Sequence, residues 1–236
     1  MLNVYDYLKD SVPNDHCKQT DALSLARAYF ENARHPELIV DLGCGTGRSI
    51  DQFNKFLKKS KWIGIDIEAS PEVMQRSRSD AEFITFDGIH IPFESNSIEF
   101  IYSNQVLEHV RHPERLIAEV ARCLTTSGVF IGQTSHLEPY HSFSLWNFTA
   151  YGFKRICNDA GLNLLEIRPS LDGLALCERA FSEDKSHFNK WFSIESPLNQ
   201  KIEAKGVEEG ASIKSINMRK LFACGQFAFI CKRSTR

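Results

Sequence analysis

The sequence has no CxxC pair, no run approaching the roughly 18 apolar residues of a membrane span, no basic excess, no internal repeat and no low-complexity tract. Each absence removes a class of protein. Its seven cysteines, at positions 17, 44, 123, 157, 177, 224 and 231, are odd in number and scattered, which argues against a disulfide framework or a zinc finger and for a reducing cytosol. A net charge of −2 and a pI near 6.5 supply no field to hold a phosphate backbone, so nucleic acid is not expected as a partner. The opening "MLNVYDYLKDSVPNDH" carries acids where a signal peptide has bases and lacks an apolar h-region, so a soluble chain located in the cytoplasm is expected. At 236 residues, 42% hydrophobic and 25% charged, there is material for one main domain with a sizeable core and an insertion.

The pattern that is present alternates. Helical spacing over residues 20–33 is followed by a strand at "ELIVDLG", a helix at "GRSIDQFNKFLKK", a strand at "KWIGIDI", a short helix at "SPEVMQRSRS" with Ser70 as its cap and Pro71 at its first position, and a strand at "AEFITFD". "IEFIYSN" reads as a fourth strand, "PERLIAEVARCL" as a helix and "TSGVFIGQTS" as a fifth strand entered through Gly128. Strands alternating with helices predict βαβ units and a parallel sheet covered on both faces. After residue 133 the rhythm changes to the aromatic stretch "HLEPYHSFSLWNFT", a helix at "TAYGFKRICNDAG", a strand at "LNLLEIRPS", weakly helical stretches around "ESPLN" and "KGVEEGAS", and a closing strand "GQFAFICKR". The tail "KRSTR" and the "EEG" at 208–210 read as solvated surface.

Gly43, Gly45 and Gly47 follow the first strand at every second position. Bare backbone there lets amides touch a ligand, and in a doubly wound sheet the first strand's exit loop borders the ligand crevice. The dinucleotide fingerprint needs its third glycine at position 48, which is Arg48, so the pattern is GxGxG and not GxGxxG. Asp66 ends the second strand, where a ribose diol could donate to it, and Asp87 ends the third, where an exocyclic adenine amine could.

Taken together, "VDLGCGTG", "GIDI", "FDGIHIPFESNSIEFIYSNQVLEHV" and "ARCLTTSGVFI" resemble a class I S-adenosylmethionine-dependent methyltransferase of the small, broad type 11 group, over about residues 38 to 133. The resemblance implies an α/β, Rossmann-like, doubly wound seven-stranded sheet whose last two strands form an antiparallel hairpin, here with a helical insertion before the final strand. It divides the chain into an N-terminal helical segment (1–35), the methyltransferase domain (36–170 and 223–236) and an inserted cap or subdomain (171–222). It implies that Asp41, Gly43, Cys44, Gly45 and Gly47 line the methionine end of S-adenosylmethionine, with Asp66 on the ribose, Ile67 against the adenine, and Asp87 and Gly88 on its amine and ring nitrogen. Asn104 and Gln105 would approach the sulfonium and carboxylate. Asp41 could equally order the loop by accepting backbone amides.

Some related methyltransferases hold Mg²⁺ through an ExxEH pattern, but Gln105 stands at its first position before Glu108 and His109, so no metal is expected. His109 is expected to pack or to fix the loop after the fourth strand. The aromatic loop suits a small organic or glycan-type acceptor, and its alternative reading is a loop whose rings close the core. His141 and His136 are the candidate general bases. Three rivals stay open: an RNA or protein methyltransferase using a basic face around Lys185, Lys190, Lys201 and Lys205, a nicotinamide oxidoreductase of Rossmann type, and a non-catalytic scaffold. Oligomeric state is left open.

Overall fold

The computed structural model describes residues 3–16 and 18–234, so Cys17 and the last two residues of the "KRSTR" tail lie outside the described residues. Strands β1 (Leu38–Leu42), β2 (Lys61–Asp66), β3 (Glu82–Thr85), β4 (Ile98–Asn104), β5 (Leu124–Ser135), β6 (Leu162–Pro169) and β7 (Gln226–Arg233) form one sheet in the order β3-β2-β1-β4-β5-β7-β6. The first five pair in parallel, while β7 runs antiparallel between β5 and β6. The seven strands and the hairpin of β6 and β7 are as the resemblance implies.

Successive strand residues point to opposite faces, and the core divides accordingly. Ile39, Phe100, Tyr102, Val129, Ile131, Ala228 and Ile230 pack on one side with α2 (Ala22–Asn32) and α3 (Ser49–Phe53). Val40, Leu42, Ile101, Phe130, Phe227 and Phe229 pack on the other with α1 (Val4–Leu8), α5 (Pro113–Cys123) and α6 (Ala150–Asp159). Burial on both faces is the reason the strand sequences are continuously apolar.

Several helices are shorter than their sequence patterns. Helix α3 stops at Phe53, because Phe53, Leu57 and their neighbours anchor a turn under the sheet instead of a longer rod, and α4 is only Pro71–Met74, capped by Ser70 as expected. Residues 171–222 hold α7 (Gly173–Phe181), α8 (Ser186–Asn189), α9 (Pro197–Glu208) and α10 (Ile213–Ala223). These helices join the N-terminal segment through Gln19, whose backbone N–H donates to Glu195 and whose side chain bonds Trp191, Ser196 and Asn199. Lys220 of α10 is fully buried against Glu195 and Glu203.

Candidate active site

Winding reverses between β1 and β4, and the carboxyl ends of β1, β2 and β4 open into a cavity of about 890 Å³. Gly43, Gly45, Asp66, Ile67, Asp87, Gly88, Asn104, Gln105 and His141 line it. Asp41, Cys44, Gly47 and His136 do not, and among the described residues none of 171–222 does, so that insertion is not a lid over this crevice.

Gly43 has φ +73°, and a Cβ there would lie 2.3 Å from Val106 Cγ2. Only glycine fits, because both the left-handed backbone and the wall behind it refuse a side chain. The Gly43 and Cys44 amides both donate to the Ile65 carbonyl, which fixes the loop to β2. Asp66 accepts the Gly45 N–H at 2.7 Å and the Ile67 N–H at 2.8 Å, and burial holds its carboxyl above the usual range.

Asp41 is 3% exposed and accepts the Ser49 hydroxyl, which in turn takes the Trp62 indole N–H at 3.0 Å. Burial pushes its carboxyl up to about 7, with the charge of Asp66 adding to the effect. It braces the loop from beneath through Ser49 and not through backbone amides. The thiol of Cys44 faces inward under Gly64, where an added Cβ would lie 2.6 Å from its sulfur, and burial pushes it up to about 12. The loop contributes to the cavity with Gly43 and Gly45, whose side-chain-free backbone faces the ligand space.

Asp87 folds onto its own turn: it accepts the Ile89 and His90 amides at 2.9 and 2.7 Å, and its other oxygen lies 2.6 Å from His90 Nδ1. These bonds hold its carboxyl well below the ordinary range. Gln105 has φ +56° at the exit of β4, an uncommon conformation for a side chain of its size and a mark of a functional turn. With its amide nitrogen turned toward Glu108, it donates to Oε1 at 2.8 Å.

His109, Arg111, His112, Glu138, His141 and Phe143 also line the cavity. Glu108, in the 3-10 turn Leu107–His109, is 0% exposed and accepts the Thr134 hydroxyl at 2.9 Å. Its backbone carbonyl takes the Leu145 and Trp146 amides, so this one residue fastens the aromatic loop to the end of β4. Burial pushes the Glu108 carboxyl up. Glu138 accepts the Gln226 amide at 2.8 Å, and its Oε1 lies 3.8 Å from His141 Nδ1. His136 instead turns its Nδ1 to the Phe148 carbonyl at 2.8 Å, and burial lowers its pKa. The chain bends at the end of β5, so His136 packs beside Phe227 while His141 lines the crevice.

Ligand atoms of Glu108, His109 and His141 lie within 4.8 Å of one another, a grouping that the Gln105 argument alone did not anticipate because His141 comes from a different loop. Both Glu108 oxygens are engaged by the hydroxyls of Thr134 and Ser135. Phe143, 72% exposed, stands at the crevice, while Phe148 of the same stretch is buried in the core, so the aromatic loop serves both.

The profile of a family described as "Methyltransferase domain", the type 11 group, matches residues 40–132. These residues belong to the class I S-adenosylmethionine-dependent methyltransferases. The chain resembles the "probable tRNA methyltransferase 9B" of Bos taurus, 28% identical over 129 residues, covering 53% of this chain and 27% of that one. It also resembles the norajmaline N-methyltransferase of Rauvolfia serpentina, 25% identical over 114 residues, covering 43% and 37%. The matched regions are thus well under two thirds of these relatives' length. A solved S-adenosylmethionine-dependent methyltransferase from Archaeoglobus fulgidus superposes over 89% of this chain and 92% of its own, with a TM-score of 0.59 at 16% identity, and shares the fold. The match over residues 40–132 is to a methyltransferase family and not to a nicotinamide oxidoreductase. No described helix is long and apolar enough to cross a membrane.

The residues present fit the family's cofactor. Gly43 and Gly45 offer bare backbone, Asp66 keeps a carboxylate at the rim, and Ile67 presents an apolar side chain beside Gly88.

Proposed function

We propose that the protein transfers a methyl group from S-adenosylmethionine to a hydroxyl, or an amine, of a small-molecule or glycan-type acceptor. The observation supporting this is that one cavity joins the glycine loop to the Glu138–His141 pair, so cofactor and acceptor would meet without crossing solvent. When bound, the cofactor supplies an electrophilic methyl carbon on a sulfonium.

The chain supplies the rest. Asp66 accepts from the ribose, Ile67 covers the adenine, and Asp87 and Gly88 border its edge. Asn104 and Gln105 face the sulfonium end. His141 takes the acceptor's proton; its Nδ1 faces the Pro139 carbonyl at 3.3 Å, with Glu138, anchored by Gln226, 3.8 Å away. Alignment in a water-poor crevice contributes most of the acceleration, up to roughly 7–11 kcal/mol. Residues 171–222 pack on the N-terminal segment through Gln19 and serve as a supporting layer. A cytoplasmic, reducing setting suits the described cysteines, which are free; Cys157 and Cys231 keep their sulfurs 3.8 Å apart.

A tRNA acceptor is the second reading, favoured by the name of the Bos taurus relative and opposed by the net charge of −2. The test titrates the protein with S-adenosylhomocysteine and then follows radiolabelled methyl from S-adenosylmethionine into phenolic, sugar and bulk tRNA fractions. Heat on titration with label in a small-molecule fraction supports the proposal. Label in tRNA moves the acceptor to nucleic acid, and absence of heat removes the cofactor site altogether.

A further inference from the structure

Gly47 belongs to the glycine motif yet does not line the cavity. What its missing side chain makes room for is a different contact: a Cβ there would lie 2.8 Å from Phe83 Cζ and 3.1 Å from Arg78 Cδ. The stretch between α4 and β3 presses on the back of the loop at this point.

We propose that Arg76 and Arg78 are positioning residues, a pair of guanidinium clamps that hold the glycine loop in the shape that receives the cofactor. Arg76 Nε donates to the Gly45 carbonyl at 2.8 Å, and Arg78 Nη1 donates to the Gly47 carbonyl at 2.9 Å. The Gly45 residue is thereby held from both sides, its N–H by Asp66 and its C=O by Arg76. Three glycines close together would otherwise sample many conformations, and a ligand would have to order them on arrival.

Both clamps are themselves anchored. The Arg76 guanidinium lies 4.0 Å from the centre of the Phe83 ring. Arg78 makes paired bonds to Asp51, at 3.0 Å each, and to Asp80, at 2.7 and 2.9 Å. Because Asp51 sits in the first turn of α3 and Asp80 just before β3, Arg78 ties the loop to both elements. A planar fork that donates at its edge while stacking on its face is a property of arginine, and a lysine ammonium cannot do both.

Arg76 also faces Asp66, where its charge opposes the upward push of burial. Glu72, Asp41 and Cys44 are the other titratable groups facing that carboxylate, and all favour its neutral form when charged. Loss of Arg76 therefore moves Asp66 further up, and the acid limb of ligand binding moves up with it.

This inference rests on the crevice being an S-adenosylmethionine site, so the wild type is titrated with S-adenosylhomocysteine first. A wild type that binds nothing refutes the cofactor site. Given a binding wild type, Arg76→Gln and Arg78→Gln are each expected to weaken S-adenosylhomocysteine about tenfold, the scale of one charge-assisted hydrogen bond. Arg76→Lys is expected not to restore it. Turnover at saturating cofactor should stay within about threefold, a split between KM and kcat that general loss of stability does not produce. In Arg76→Gln the pH at which affinity halves should rise. Phe83→Leu, which keeps both arginines and removes the ring that Arg76 stacks on and that also packs on Trp62, should weaken binding by a smaller factor. Wild-type affinity in both Gln variants, or an affinity in Arg76→Lys equal to wild type, overturns the clamp.

Discussion

The hydroxyl of Ser135 stands between two carboxylates, 2.6 Å from Glu138 Oε2 and 3.2 Å from Glu108 Oε1. A hydroxyl has one proton to give. Ser135 gives it to the nearer Glu138, and the hydroxyl keeps the two acids from facing each other directly. Ser135→Ala should lower stability by about 1–3 kcal/mol, the cost of leaving such a buried group unsatisfied. Urea unfolding measures it, and an unchanged midpoint would show that the hydroxyl bridges nothing.

Asp41 sets a pH dependence with a definite sign. Its carboxyl is raised from 3.8 to about 7 in the folded state by burial, so its contribution to stability is complete below about pH 4 and is lost as pH climbs toward 7. Asp41→Asn cannot ionise, and Ser49 can still donate to the amide oxygen. Denaturation midpoints at pH 5, 6, 7 and 8 should show the variant gaining on the wild type as pH rises, by on the order of a few kcal/mol in total. Parallel curves would mean that Asp41 titrates as an ordinary surface acid.

Gly43→Ala places a methyl group against Val106 in a left-handed backbone. The strain alone is about 1–2 kcal/mol, before any clash, so S-adenosylhomocysteine affinity should drop at least about tenfold. Calorimetry decides, and a variant binding as well as wild type would disconnect this glycine from the ligand.

His141→Gln should lower kcat by about a hundredfold or more while leaving S-adenosylhomocysteine affinity within about twofold. His136→Gln should keep kcat within about threefold, since His136 does not line the cavity. Rates measured on one acceptor for both variants separate the two histidines; equal losses would erase the distinction.

The strands of the sheet were legible because burial on both faces leaves apolar runs, as in Val129, Phe130 and Ile131. Asp66 was legible as the acid ending β2, but its bonds to the Gly45 and Ile67 amides were not, because they depend on how the glycine loop folds back. Helix α10 was not. It buries Asn217 and Lys220, so its pattern lacks an apolar stripe, and their partners Pro13, Glu195 and Glu203 are distant in sequence. Glu138 was read only as part of an aromatic loop. Its importance comes from Ser135 and Gln226, and no local spacing announces a partner nearly ninety positions away. The placement of His136 turns on where β5 ends, a boundary that five residues of loop sequence could not fix.

Gln226, the first residue of β7, gives its amide to Glu138 and accepts from Gln133 at 2.6 Å. During translation the glycine loop and its neighbours through residue 105 emerge early and can pair among themselves, but the acceptor end waits for the last strand to slide between β5 and β6. A nascent or C-terminally clipped chain would carry half a crevice, with Glu138 unanchored and two sheet edges bare to chaperones and proteases.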